Sequence, residues 1–211
     1  MGIDQAPILI AGPPRSGTIM TAGLLFHHGV WIGRARTTWF PGTNPDLGVE
    51  NQDIKAIMKR EAAKVEYRNW RTPLPERIMT EGVKEEIESF VPEDVPWLVK
   101  TSWTLAFNHF WLLAYPDAKW ILTLRPDYAI FDSMNRHPRM RKRPADMKKQ
   151  FIKALKFRQQ RVLQVARYSL GIRVKKIANR DEAEIQKLFD FVGIEPNWAK
   201  ISEWIEPGRM K

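Results

Sequence analysis

The chain has 211 residues, of which 44% are hydrophobic, so it can bury one substantial core and is expected to form a single domain over residues 1–211. It contains no cysteine, which excludes disulfides, cysteine-ligated metals and cysteine nucleophiles. Its net charge of +10 favours an anionic partner, such as a polyanionic cofactor, a nucleic acid or an acidic membrane face.

The N-terminal sequence MGIDQAPILIAG contains no recognisable targeting segment. It has no basic region, and its apolar run is too short for a signal peptide or a membrane span. We therefore expect a cytoplasmic protein that makes no membrane contact.

Residues 6–28 predict a phosphate-binding loop between a strand and a helix. Residues 8–10 form the continuous apolar run of a strand covered on both faces, and a helix is predicted from about Gly17 to Gly29. Gly12 and Gly17 bracket the turn between them. Because the first turn of a helix leaves backbone N–H groups unpaired, this arrangement favours anion binding. A tight turn with incidental glycines is the alternative interpretation.

The loop departs from the nucleotide-binding P-loop at one decisive position. Thr18 occupies the place of the Walker lysine, and Arg15 is the only charged residue within the loop. This argues against a P-loop kinase that uses ATP, which we keep as a lower-ranked alternative.

The rest of the chain predicts alternating strands and helices. A short strand at 30–33 and a polar loop at 34–51 are followed by two helices, and these helices form a helical insertion at about 50–92 that covers the site. Strands are predicted at 97–100, 119–124 and 172–177, and helices at 53–67, 76–90, 105–114, 145–170 and 181–191.

This alternation predicts an α/β fold with three layers, in which a central parallel sheet of four to five strands carries helices on both faces. Ligands bind such sheets beyond the carboxyl ends of the strands. The loop at 12–18, the segment Lys100-Thr101-Ser102 and Arg125 are therefore expected to share one crevice.

Three stretches carry a resemblance to a known family. The loop GPPRSGT resembles the 5′-phosphosulfate loop of sulfotransferases that use 3′-phosphoadenosine 5′-phosphosulfate (PAPS), of the bacterial or phage type with a P-loop-like fold. In LTLRPDYAIFDSM, Arg125 and Ser133 have the spacing of the family's 3′-phosphate contacts, and DEAEIQKLFDFVGIEPNW is similar to the end of the family's core. The resemblance implies PAPS as cofactor, adenosine 3′,5′-bisphosphate as product, and these cofactor-binding residues: Pro14, Arg15, Ser16, Gly17, Thr18, Arg125 and Ser133.

The resemblance also implies a reaction, the transfer of a sulfuryl group to a hydroxyl or amine of a small-molecule or glycan acceptor without a metal. Arg15 and Thr18 suit the neutralisation of the leaving phosphate, and Lys100 suits stabilisation of the bridging oxygen. Cytosolic sulfotransferases have Lys-Thr-His where this chain has Lys100-Thr101-Ser102, so the lysine matches and the base does not.

The catalytic base must therefore come from elsewhere. Another bacterial branch carries N-P-x-G-x-x-E, and residues 44–50, NPDLGVE, are similar to it, with a shorter gap between the glycine and the glutamate. Glu50 is our first choice of base, ahead of His109 and His28, although a solvated glutamate without catalytic role is the alternative.

Other features are less specific. The family's C-terminal Arg-Lys-Gly loop is absent, and only residues 207–211 could replace it. Tryptophans 31, 39 and 103 could line an acceptor pocket. Residues 136–149 carry seven Lys or Arg and one acid, and we interpret them as a mobile cover over the cofactor or acceptor. A solvated loop and a nucleic-acid-binding face are the alternatives, and the latter would make the whole chain a nucleic-acid-binding protein.

Overall fold

The structure is a computed structural model that describes residues 6–34, 50–64, 82–101, 103–138 and 140–205. Strands and helices alternate along most of this length. In chain order they are β1 Ile8–Ala11, α1 Thr18–His27, α2 Gln52–Lys64, α3 Val83–Glu88, β2 Leu98–Val99, α4 Asn108–Ala114, β3 Lys119–Leu124, α5 Asp127–Arg136, α6 Ala145–Val165, β4 Tyr168–Arg173, α7 Val174–Ala178, α8 Glu182–Val192 and α9 Trp198–Trp204.

The described strands form one parallel sheet in the order β2-β1-β3-β4. β1 pairs with β2 on one side and β3 on the other, and all of its residues are buried. This position explains why its sequence is continuously apolar, because neither face of the strand meets water. The predicted α/β fold with a parallel sheet of four to five strands is confirmed.

Successive strand residues point to opposite faces of the sheet, and each face is covered by its own hydrophobic cluster. Leu9 of β1 and Trp120 of β3 pack on the face covered by α2, α3, α4 and α6. Ile10 and Ile121 pack on the opposite face, beneath α1, α7, α8 and α9. The helices therefore cover both faces, as the sequence predicts for a three-layer fold.

The prediction for residues 145–177 is wrong in its boundaries. The helix predicted to reach residue 170 ends at Val165, and the strand predicted at 172–177 lies at Tyr168–Arg173 and is followed by α7. The pairing of Lys119 with Tyr168 sets this register, because it places β4 alongside the full length of β3. The apolar pair Val174 and Ile177 is spaced for a helix face, and both residues are buried in α7.

Other elements differ less from expectation. The strand predicted at 30–33 is reduced to one parallel bridge between Trp31 and Trp97. The predicted insertion contains α2 and α3; residues 65–81, which include the predicted start of the second helix, lie outside the described residues. α4 begins three residues later than predicted, and α9 was not predicted. Within the described ranges, no helix combines the length and apolar character needed to cross a membrane.

Candidate active site

The loop between β1 and α1 lies at the carboxyl edge of the sheet, beside the central strand. Arg15 and Gly17 adopt the left-handed conformation, with φ of 70° and 96°, and the backbone N–H of Ser16 donates to the carbonyl of Pro13 at 3.1 Å. α1 then begins at Thr18 without an acidic residue in its first turn. Gly17 has no side chain to cap the first N–H groups, so these groups and the helix dipole favour an anion at this point.

Gly12 is required by close packing under the loop. A Cβ atom at this position would lie 2.1 Å from Thr123 Oγ1 and 2.5 Å from Ser16 Oγ. These two hydroxyls are 2.6 Å apart and share a buried hydrogen bond. The amide of Gln159 donates to the Thr123 carbonyl at 3.0 Å. The loop is therefore tied to β3 and α6 through its own side chain, Ser16.

The predicted cofactor residues Arg15, Arg125 and Ser133 are brought into direct contact. Arg15 Nε donates to Ser133 Oγ at 3.1 Å, and Arg125 Nη1 donates to the backbone carbonyl of Arg15 at 2.8 Å. Arg15 is 118 positions from Ser133 and 110 positions from Arg125, so only the fold joins them.

The charge of a further cation, Arg136, acts on these residues; from the sequence it was assigned only to the basic segment at 136–149. Burial lowers the pKa of Arg15, and the charges of Arg125 and Arg136 lower it further. Burial and then Arg136 also lower the pKa of Arg125. Because guanidinium groups stay protonated at neutral pH, the cluster concentrates positive charge and favours an anionic ligand.

On the other side of β1, Lys100 follows β2 and meets the predicted base Glu50. Lys100 Nζ lies 3.2 Å from Glu50 Oε1, and Lys55 also forms a salt bridge with this carboxylate. Lys100 is only 8% exposed. Glu50 and Lys100, for which catalytic roles are predicted, are 50 positions apart in sequence and form one ion-paired group.

The N-terminus of α2 holds Glu50 in place. Asn51 Oδ1 accepts hydrogen bonds from the backbone N–H groups of Asp53 and Ile54, so it caps α2. Gln52 Nε2 donates to the Glu50 carbonyl at 2.8 Å. The backbone of Glu50 is therefore fixed by the helix that follows it.

The charges around this pair shift both of its pKa values. Burial acts to raise the pKa of Glu50, but Lys100 and Lys55 outweigh it, and the net pKa lies below the ordinary value. Burial lowers the pKa of Lys100, and Glu50 limits the decrease. Glu50 is consequently a carboxylate at neutral pH, which is the protonation state that a general base requires.

The two histidines ranked behind Glu50 lie in different places. His28 follows the C-terminal end of α1, away from the loop; Nδ1 donates to the Leu24 carbonyl at 2.7 Å, and Nε2 accepts from the Asn197 backbone at 2.9 Å. The length of α1 therefore separates His28 from the loop. His109 is the second residue of α4, at the same sheet edge as Lys100, and is partly buried.

Several predicted features lie outside the described residues: Ser102, Trp39, Arg139, residues 44–49 and residues 207–211. Trp31 and Trp103 are partly buried and pack against the hydrophobic cluster beneath α2 and α4. Their role in an acceptor pocket stays a prediction.

In its described part, the basic segment at 136–149 comprises the last residue of α5, a stretch of turns and the first five residues of α6. The carbonyl of His137 accepts from the N–H groups of Met140 and Arg141, at 3.0 and 2.9 Å. Lys148 is buried and donates to Asn135 Oδ1, which joins the segment to α5. The side chains of residues 141–143 are exposed. That the segment covers a ligand stays a prediction.

Solved structures with the same fold are sulfotransferases. The sulfotransferase domain from the Synechococcus PCC 7002 olefin synthase matches with a TM-score of 0.59, covering 100% of this chain and 82% of that chain at 14% identity. The sulfotransferase domain from the curacin biosynthetic pathway has a TM-score of 0.60, covering 99% and 80% at 12% identity. Sulfotransferase STF9 from Mycobacterium avium has a TM-score of 0.55, covering 95% and 67% at 13% identity.

Sequence comparison gives the family directly. No curated protein matches the chain. Residues 7–200, however, match the profile of the "Sulfotransferase family", a span that includes the loop, Glu50, Lys100 and the arginine cluster. The chain therefore belongs to the sulfotransferase family.

Proposed function

We propose that this protein transfers a sulfuryl group from PAPS to a hydroxyl or amine of a small-molecule or glycan acceptor. The observation that carries the proposal is the contact of Arg15 with Ser133 and Arg125 beside the loop. It gives two adjoining anion sites, one at the N-terminus of α1 and one at the arginine cluster. A nucleotide with separate 5′ and 3′ anionic groups would occupy both.

The residues fit such a cofactor by their chemistry. The loop suits the 5′ group because its backbone is closely packed and the first turn of α1 presents N–H groups to an anion. Its residues in this role are Pro14, Ser16, Gly17 and Thr18. Arg125 and Ser133 supply a guanidinium fork and a hydroxyl for the 3′-phosphate, and Arg15 connects the two sites. When bound, PAPS supplies the activated sulfuryl group.

The Lys100–Glu50 pair suits the acceptor side of the same edge. A Glu50 carboxylate oxygen accepts the proton of the acceptor's hydroxyl or amine. Lys100 Nζ donates to Glu50 in a buried part of the site, where electrostatic interactions are stronger than in water. Proton acceptance and phosphate binding thus fall on opposite sides of β1.

Ligand binding tests the cofactor assignment. Adenosine 3′,5′-bisphosphate should bind much more tightly than adenosine 5′-monophosphate (AMP), because only the first offers a 3′-phosphate to Arg125 and Ser133. Arg125→Ala should reduce this preference by roughly tenfold to a hundredfold, since a charged hydrogen bond is worth about 1.5 to 3 kcal/mol. Isothermal titration calorimetry measures both affinities. Equal affinity of the unmodified protein for the two nucleotides would refute PAPS as cofactor.

The exposed basic turn favours one competing function, nucleic-acid binding. Changing Arg141, Lys142 and Arg143 together to Gln should preserve the fold, because exposed charges contribute little to stability. On our proposal, the unmodified protein binds duplex DNA weakly in an electrophoretic shift at physiological salt. Tight, sequence-independent binding that disappears in the triple variant would place nucleic-acid binding above sulfuryl transfer.

A further inference from the structure

We propose that Arg136 is a third arginine of the 3′-phosphate site and helps to select ligands that carry a 3′-phosphate. The inference rests on the proposed function and adds a binding residue to it. Arg136 is the last residue of α5, three positions after Ser133.

The geometry of α5 places Arg136 beside the proposed site. Residues three apart on a helix share one face, with Cβ atoms about 5 to 6 Å apart. Ser133 is buried on this face and accepts a hydrogen bond from Arg15. Arg136 is exposed, so a ligand in solvent can reach it.

Electrostatics support this placement from two directions. The charge of Arg136 acts on Arg15, which belongs to the loop after β1, and on Arg125, which follows β3. Like charges that act on one another favour an anionic ligand at the same place. A phosphate monoester carries up to two negative charges and accepts the planar fork of a guanidinium, so it relieves this repulsion.

The backbone after Arg136 fixes its position. The N–H of His137 donates to the Met134 carbonyl at 3.2 Å, and the turn that follows is closed on the His137 carbonyl. Arg136 therefore extends from a defined helix end next to Ser133.

A structural role is the competing explanation, because a cation in the last turn of a helix interacts favourably with the helix dipole. Such a role would change thermal stability. It would not change the ratio of affinities for two nucleotides that differ only in the 3′-phosphate.

The experiment measures the affinities of adenosine 3′,5′-bisphosphate and AMP at constant ionic strength, by isothermal titration calorimetry. The proteins are the unmodified chain, Arg136→Gln, Arg136→Lys and the control Arg161→Gln. Arg161 is an exposed arginine near the C-terminal end of α6. This end leads into the start of β4 and so lies at the amino ends of the strands, away from the proposed site at their carboxyl ends. Thermal denaturation establishes that each variant is folded.

We expect Arg136→Gln to weaken binding of the bisphosphate on the order of tenfold and to change AMP binding less than about twofold. The bisphosphate affinity of Arg136→Lys should lie between those of the unmodified protein and Arg136→Gln, because lysine keeps the charge but lacks the planar guanidinium. Arg161→Gln should leave both affinities unchanged.

An undiminished preference for the bisphosphate in Arg136→Gln, or an equal loss of affinity for both nucleotides, would overturn the inference and leave the proposed function intact. Absence of any preference in the unmodified protein would overturn both. If Arg136→Gln does not fold, Arg136→Lys decides: an undiminished preference then counts against the bidentate contact.

Discussion

Glu50→Gln is expected to lower turnover by roughly a hundredfold to ten-thousandfold while affinity for adenosine 3′,5′-bisphosphate barely changes. Glutamine keeps the size and the hydrogen-bonding reach towards Lys100 but lacks a basic oxygen. The measurement is steady-state turnover with an accepted substrate, together with calorimetric affinity for the bisphosphate. The control is Lys55→Gln, which removes the second partner of Glu50 and leaves the carboxylate and Lys100 in place.

The pH dependence provides a second test of Glu50. Its pKa is lowered in the folded protein, so the carboxylate is ionised above that value and kcat/KM should fall only when the pH drops through it. The acid limb should therefore lie below about pH 4.3, the ordinary glutamate value, provided that the protein remains folded there. Near-normal turnover of Glu50→Gln, combined with loss of turnover in His109→Asn, would transfer the role of base to His109.

Lys100→Gln is expected to lower turnover by about a hundredfold to a thousandfold, the usual cost of removing one preorganised donor from an active site. It should also move the acid limb of kcat/KM to higher pH, because Lys100 is a principal cause of the lowered pKa of Glu50. Lys55→Gln is again the matched control, since it should move the acid limb but leave turnover at neutral pH largely unchanged. Unchanged turnover in Lys100→Gln would show that its charge serves only to hold Glu50.

The sequence predicted best those features that local chemistry determines. The continuous apolar run of β1 and the glycines around the loop predict a strand, a turn and a helix, because each residue there is constrained by burial or by close packing. The Lys119–Leu124 strand was predicted with its observed ends. The boundaries of β4 were not, because Tyr168 and Ser169 look polar and are assigned to the sheet only by pairing with β3.

Site residues were predictable where the family resemblance assigns a role to a position in the sequence. They were less predictable where a residue's role depends on contacts that only the folded chain makes. Arg125 and Ser133 have a recognisable spacing, and the structure joins both to Arg15. Arg136 belongs to a run of basic residues that the sequence does not distinguish from one another. Only its position at the end of α5 separates it from the others. Similarly, no local signal relates Glu50 to Lys100, since the contact between them forms only when α2 lies against the end of β2.

The hydrogen bonds that tie Ser16 to Thr123, and Thr123 to Gln159, make the loop part of the folded core. The conformational entropy of the loop is then lost during folding rather than during ligand binding, so the binding site is pre-organised. Affinity and fold stability become linked quantities at this edge of the sheet. A substitution at Gln159, a buried residue 36 positions from Thr123, would therefore lower fold stability and nucleotide affinity together, although its side chain need not contact the nucleotide.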